Sequence, residues 1–129
     1  MLNGLERFQP HAYAALRAVS GFLFIFHGTR NLVGIPARAA EAPGVVVYVA
    51  GPIEIIGGAL IMLGIATRPA AFLCSGLMAA AYWIAHGTLA LLPIQNGGEL
   101  AVLYCFIFLL LSTGGSGAYS IDQLRSGRE

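Results

Sequence analysis

The sequence predicts an all-α membrane protein, an antiparallel bundle of four transmembrane helices with both termini in the cytoplasm. Of the 129 residues, 57% are hydrophobic and 10% are charged, and the mean hydropathy is +0.77. Such a composition is far more apolar than that of a soluble domain of this length. The apolar residues form four continuous runs, which are typical of membrane helices rather than of alternating membrane strands. The chain length indicates a single domain, residues 1–129.

Each apolar run has about the length that a helix needs to span a bilayer, roughly 17–25 residues. The predicted spans cover residues 13–33, 45–65, 69–89 and 97–113. Short connections containing proline or glycine separate the runs, so consecutive helices should be antiparallel neighbours. Pro52 lies inside the second run and should disturb the helix, because proline has no N–H group to donate to the carbonyl of Tyr48.

The arginines predict the orientation of the chain in the membrane. With an even number of spans the two termini share a side, which then carries Arg7, Arg17, Arg68, Arg125 and Arg128 against Arg30 and Arg38 on the other side. An excess of basic residues marks the cytoplasmic face, so we expect a multi-pass protein of the bacterial inner membrane. Arg17 and Arg68 lie near helix ends, where they can reach lipid phosphates or bind helix-end carbonyls. Near the C-terminus, Ser120 and Gln123 have the spacing of a helix capping box.

Several function classes are excluded by composition and by missing motifs. A formal net charge of +1 provides no basic face for binding nucleic acid. Cys74 and Cys105 stand singly in different runs, which predicts neither a disulfide nor a thiolate metal site. The first apolar run follows Glu6 and Arg7 without a small-residue cleavage site, so we expect no signal peptide. There is also no nucleotide-binding loop or nucleophile elbow.

Each predicted span carries a histidine or a glutamate in the half away from the cytoplasm: His27, Glu54, His86 and Glu99. An intramembrane ionisable group is costly, and these four are the candidate catalytic residues. Their depths along the helices pair His27 with Glu54 and His86 with Glu99. Two imidazoles and two carboxylates could bind a divalent transition metal, and they equally suit taking protons from a quinol. Neighbouring side chains that we expect to contact a cofactor are those of Arg30, Asn31, Tyr82 and Trp83.

A purely structural alternative remains open for the same residues. Arg30 lies at the outer end of the first run and could pair with Glu54 or Glu99. The two histidines would then be satisfied polar residues near helix ends, and the aromatic side chains beside His86 would form a belt at the membrane interface.

Ordered motifs are spread over all four runs, the first being His27-Gly28 followed by Leu32 and Gly34. The others are Gly51-x-x-Glu54-x-x-Gly57-Gly58, Leu63-Gly64, Thr67-Arg68-x-Ala70-Ala71, Gly97-Gly98-Glu99-Leu100-Ala101 with Tyr104, and Gly115-x-Gly117-x-x-Ser120-x-Asp122. With these motifs the chain resembles the DoxX family of small bacterial membrane proteins over nearly its whole length. One position departs from the family pattern, which often has Lys where this chain has Asn31.

The resemblance implies a four-span inner-membrane protein whose relatives are linked to quinone-coupled sulfur oxidation and to complexes that handle thiols and oxidants. Our leading hypothesis is an accessory or catalytic subunit of a redox system, with a polar pocket in the outer half of the bundle and Glu54 as proton acceptor or ligand. Its cofactor would be a quinone or a divalent transition metal. Its partners would be the lipid bilayer and a larger membrane or redox protein, or a second copy of the chain. Two alternatives stay open: a scaffold whose glycine stripes dock a larger membrane protein, and a small transporter.

Overall fold

The computed structural model describes residues 4–37 and 41–127. This part of the chain is helical and contains no strand, which confirms the predicted all-α class. The α-helices found there are α1 Gln9–Val33, α2 Gly51–Leu63, α3 Thr67–Ala85, α4 Pro93–Asn96, α5 Glu99–Gly114 and α6 Ile121–Ser126. A 3₁₀ turn, Glu6–Phe8, precedes α1, and a π-helical turn, Val46–Ala50, leads directly into α2.

The long helices lie close to the predicted apolar runs, but α2 begins at Gly51 instead of residue 45, after the π-helical turn, and α3 ends at Ala85 instead of residue 89. This helix stops at Ala85 because the N–H groups of His86 and Gly87 both bond to the carbonyl of Tyr82 and the chain turns away. His86 therefore follows the helix instead of lying within it. The connection that comes next contains the short helix α4, which has Pro93 at its start and Gly97, at φ 72°, just after its end, as is common for helix boundaries.

Pro52 disturbs the second helical segment, as its position predicted. The backbone before it is π-helical over Val46–Ala50, and the N–H of Gly51 bonds to the carbonyl of Val46, five residues earlier. Regular α-helix begins only at Gly51, with Pro52 in its first turn. The missing N–H of proline is tolerated there because first-turn donors have no partner within the helix.

Helices α1 and α2 form an antiparallel pair, which we call the first hairpin. At one end Arg17, near the start of α1, donates from Nη1 to the carbonyls of Ile61 (2.9 Å) and Met62 (2.8 Å) at the end of α2. At the other end Asn31 bonds to Glu54, near the start of α2. Arg17 is only 2% exposed, so it binds helix-end carbonyls, one of the two roles that its position suggested.

Helices α3 and α5 form a second antiparallel hairpin, in which an arginine again binds carbonyls at the end of the partner helix. Arg68, at the start of α3, donates to the carbonyls of Ser112 (3.3 Å) and Thr113 at the end of α5. Midway, the hydroxyl of Ser75 donates to the carbonyl of Cys105 at 2.8 Å. Each hairpin thus has an arginine that donates hydrogen bonds to carbonyls at the end of the partner helix.

Close backbone contact holds the first hairpin together. A Cβ atom added at Gly21 would lie 2.5 Å from the carbonyl oxygen of Gly58, and one added at Gly28 would lie 2.6 Å from the carbonyl oxygen of Gly51. On each helix the two glycines are two turns apart and share a face. The two backbones therefore approach more closely than any residue with a side chain would allow, as in small-residue interfaces between membrane helices.

The C-terminal segment folds back onto the termini of the first hairpin. Ser120 caps α6 by accepting the N–H of Gln123 at 3.2 Å, which confirms the predicted cap. The N–H of Asp122 bonds to the carbonyl of Gly64 at 3.0 Å, and Nη2 of Arg17 donates to the carbonyl of Tyr119 at 3.0 Å. These bonds fix α6 beside the end of α2.

Within the described residues one continuous helical stretch is long and apolar enough to cross a membrane, Val46–Leu63, with a mean hydropathy of 2.0 over 18 residues. Helix α5 is apolar but shorter. Helix α1 is long, but buried polar residues such as Arg17 and Ser20 lower its hydropathy. Length and composition alone therefore mark one of the four long segments as a membrane span.

We predict that Gly21→Ala destabilises the protein, because the new methyl group would collide with the backbone of α2. Overpacking of this kind costs about 1–3 kcal/mol. A matched control is Gly76→Ala on α3, where an added Cβ meets nothing within 4 Å and helix propensity favours alanine by up to about 1 kcal/mol. Thermal unfolding in one detergent would compare the two variants. An equal melting temperature for both would contradict the close contact.

Candidate functional site

A cavity of about 340 Å³ lies between the two hairpins, at the end of the bundle away from the termini. Small residues of the second hairpin, such as Ala81, Ala85 and Ala101, form much of its wall. The polar and ionisable side chains that line it are those of His27, Asn31, Glu54, His86 and Tyr104. Its volume is at the lower end of the roughly 300–1,000 Å³ that small-molecule sites occupy. We call it the polar cavity.

Glu54 is the buried carboxylate of the polar cavity. It is 4% exposed, and its Oε2 accepts a hydrogen bond of 2.9 Å from Nδ2 of Asn31. Its helix face also carries Gly51 and Gly58, so the contact with α1 places the carboxylate inside the bundle. Arg30 is exposed on the neighbouring face of α1. The partner that the structure gives Glu54 is therefore a neutral amide, and the predicted alternative of an Arg30 pair is not seen in the described residues.

His27 forms the wall of the polar cavity on the side of α1. Its ring packs edge-on against Tyr104, with centroids 5.7 Å apart and planes at 85°, and it contacts Phe24 at 6.4 Å. The ring centroids of Phe24 and Tyr104 are 5.3 Å apart. The imidazole is thus fixed by aromatic packing between α1 and α5, on the same cavity as Glu54.

His86 is oriented by Asn96, which the sequence patterns did not indicate as a site residue. Nδ1 of His86 lies 3.0 Å from the backbone carbonyl of Asn96. A carbonyl can only accept, so Nδ1 carries the hydrogen, and in the neutral ring Nε2 is then the basic nitrogen. That nitrogen is the one available to a molecule in the polar cavity.

Asn96 is held in turn by a set of hydrogen bonds. It is 6% exposed, its Nδ2 donates to the hydroxyl of Tyr82 (3.0 Å) and to the carbonyl of Ala90 (3.1 Å), and its Oδ1 accepts the N–H of Gly98 at 2.8 Å. These bonds tie the loop after α3 to the start of α5. The Asn96-Gly97-Gly98 turn sequence marked the connection, but nothing in it indicated that the asparagine is buried.

Several predicted site residues lie outside the set that lines the polar cavity. Glu99 is the first residue of α5 and is exposed. Trp83 is 68% exposed, and Tyr82 contributes its hydroxyl to Asn96. Of the four candidate catalytic residues, His27, Glu54 and His86 thus line one cavity, whereas Glu99 is exposed, as is Arg30.

The fit of a metal ion can be judged from the same side chains. Among the described residues no group of three or more His, Cys, Asp and Glu side chains is close enough to hold a metal ion. The donor set that we proposed, His27, Glu54, His86 and Glu99, is thus not assembled in this structure, and the donors present do not fit a metal. Elemental analysis of the purified protein remains the direct test of that prediction.

Comparisons with known proteins identify the family. The family model DoxX matches residues 12–87. The chain belongs to the DoxX family. A DoxX protein of this kind is a helical membrane-type protein, and the matched region contains Arg17, His27, Glu54 and His86 but not Asn96. A protein of Haemophilus influenzae described as uncharacterized is 43% identical over 130 residues, covering 95% of this chain and 96% of the relative. No solved structure matches.

We predict that Asn31→Lys is tolerated only while Glu54 is a carboxylate. Lys at this position, as in the family pattern, would place an ammonium beside Glu54, whereas in the Glu54→Gln background the ammonium would have no counter-charge. A double-mutant cycle on unfolding free energy should give a coupling of about 1–3 kcal/mol between the two substitutions. Additive effects of the two substitutions would show that residues 31 and 54 do not interact.

Proposed function

We propose that this DoxX protein spans the bacterial inner membrane four times and is an accessory or catalytic subunit of a quinone-linked redox system. The observation that carries the proposal is the polar cavity, in which a buried carboxylate and two imidazoles line one small space. A cavity of about 340 Å³ suits a single substituted ring. The family's membrane character supports a lipid-soluble ligand rather than a soluble one.

The proposed topology rests on the long helices and on the arginines that are free to act as loop charges. Arg17 and Arg68 bind helix-end carbonyls, so they contribute little as free loop charges. The termini then carry Arg7, Arg125 and Arg128 against Arg30 and Arg38 on the opposite side, and Arg38 and Arg128 lie outside the described residues. Large apolar side chains such as Phe72 and Phe106 are exposed on the outer surfaces of the second hairpin, which supports contact with lipid.

We expect reporter fusions to place both termini in the cytoplasm. A fluorescent protein that folds only in the cytoplasm should fluoresce at the C-terminus, and alkaline phosphatase, active only outside, should be active when fused after Gly44 or after Gly97. A fusion after Gly64 is the matched control and should have low phosphatase activity. High activity there would rule out the proposed orientation.

The polar cavity provides groups that can take the two protons of a quinol. Oxidation of a quinol to a quinone releases two protons and two electrons, and the electrons would pass to a redox-active partner protein. Glu54 and Nε2 of His86 are the acceptors that line the cavity, and His27 is a third. The hydrogen bond that Nδ1 of His86 donates to the carbonyl of Asn96 and the one that Asn31 donates to Glu54 orient two of these groups before any ligand binds.

The scaffold alternative has less support in its original form. It relied on Gly57 and Gly58 as a docking stripe, but both are buried. An added Cβ at Gly57 would collide with Sγ of Cys74, and one at Gly58 would lie 2.8 Å from the carbonyl oxygen of Gly21. These glycines serve the packing of the chain itself, so a docking surface would have to use other residues. The transporter alternative stays a prediction that a proton-flux assay in liposomes would test.

We predict that Glu54→Gln weakens quinone binding whereas Glu99→Gln does not. Both changes convert a carboxyl to an amide, but Glu54 lines the polar cavity and Glu99 is exposed outside it. A hydrogen bond to a charged group contributes about 1.5–3 kcal/mol, so we expect roughly a tenfold to hundredfold loss of affinity for Glu54→Gln. Binding of a tail-free benzoquinone to protein in lipid nanodiscs would measure it. Equal affinities for both variants and wild type would exclude Glu54 as a ligand contact.

A further inference from the structure

A second cavity, about 320 Å³, lies on the outside of the bundle against the polar cavity. Leu23, Phe26, Arg30 and Pro36 line only this outer space, which we call the α1–α5 groove. Most of its lining is apolar, and His27, Arg30 and Tyr104 add polar groups. Leu23 and Phe26 are 47% and 45% exposed, so the groove opens sideways toward the lipid.

The polar cavity and the α1–α5 groove have a common wall. His27, Leu100 and Tyr104 line both spaces. Of these three, His27 and Tyr104 are fixed by ring packing, whereas Leu100 is 50% exposed and lies in the first turn of α5. Leu100 is therefore the shared lining residue that is freest to change rotamer between the two spaces.

The position of the groove follows from how the hairpins meet. Helices α1 and α2 pack tightly, and so do α3 and α5, but α1 and α5 contact each other only sparsely. Their contacts are mainly aromatic, through Phe24 against Tyr104 and Phe24 against Phe108 at 4.7 Å between centroids. Beyond this aromatic layer, toward Arg30, the two helices leave the lateral opening that forms the groove.

We infer that the α1–α5 groove is the entrance to the polar cavity and binds the prenyl tail of the ligand whose ring occupies that cavity. The inference rests on the proposed function and adds the tail site and the route. The polar cavity can enclose a ring but not a ring with several isoprene units, so a tail must leave it. The groove has the required apolar lining and is in direct contact with the cavity through Leu100. Arg30 lines the groove, and the stem of an arginine can pack on apolar groups while its guanidinium reaches lipid headgroups.

The test compares two quinones and two tryptophan substitutions in nanodiscs of one lipid composition. The probes are a benzoquinone without a tail and the same ring with a tail of several isoprene units. Leu23→Trp fills the groove without touching the polar cavity, and Val19→Trp, one turn away on the same helix and 55% exposed, is the matched control. Leu23→Trp should weaken binding of the tailed quinone about tenfold, because a few methylene groups lose their contacts, and leave the tail-free quinone unchanged. Val19→Trp should change neither affinity.

Each other outcome overturns the inference in a recognisable way. Unchanged binding of both quinones by Leu23→Trp places the tail elsewhere and leaves the groove to a phospholipid chain, while quinone binding itself stands. Equal weakening of both quinones shows that the groove acts on the ring site and not on a tail. If the wild-type protein binds neither quinone, the proposed function fails first and the inference fails with it.

Discussion

The close backbone contact between α1 and α2 fixes the positions of the polar groups at both ends of the first hairpin. Two facing glycine pairs set the register, Gly21 with Gly58 and Gly28 with Gly51. Each helix is a rigid rod, so the same register places Arg17 on the last carbonyls of α2. Lipid provides no hydrophobic force between membrane helices, and close packing and hydrogen bonds must hold them together. The position of Glu54 beside Asn31 is therefore a consequence of how near the two backbones can come.

The second hairpin shares the arginine contact of the first, and the polar cavity lies where the two hairpins meet. Helices α3 and α5 are joined by side-chain bonds to backbone carbonyls, from Ser75 and Arg68. Between the hairpins, α2 packs closely on α3, where Gly57 meets Cys74, whereas α1 and α5 meet through large rings, such as those of Phe24 and Phe108, which hold these two helix axes apart. Space remains beyond this aromatic layer, where the lining residues become alanine and glycine. An aromatic layer thus closes the cavity on the side of the chain termini.

Much of the fold followed from the sequence because apolar runs and their proline and glycine boundaries act locally. The irregular backbone before Pro52 and the capping of α6 by Ser120 were predictable for that reason. The burial of Glu54 was predictable from its apolar neighbours, and its partner Asn31 was recognised as the position that departs from the family pattern. Glu99 was expected at the site but is exposed. Whether a residue at the start of a helix faces the bundle or its surroundings depends on the rotation of the helix, which is set by packing and not by local sequence. Asn96 was missed because its burial is set by the loop around it, a tertiary effect.

With Asn31 instead of a lysine at this position, the buried carboxylate of Glu54 has a neutral partner and not a cation. The attraction between an ammonium and the Glu54 carboxylate about 4 Å apart would be roughly 4 kcal/mol at an effective dielectric constant of 20. The carboxylate could then take up a proton only by losing that ion pair. The amide of Asn31 satisfies one carboxylate oxygen without adding charge. Glu54 can therefore gain or lose a proton while its hydrogen bond is kept, because a carboxyl oxygen accepts from an amide in both states. A charge change at Glu54 then costs no ion pair, which supports the proposed role of Glu54 as a proton acceptor.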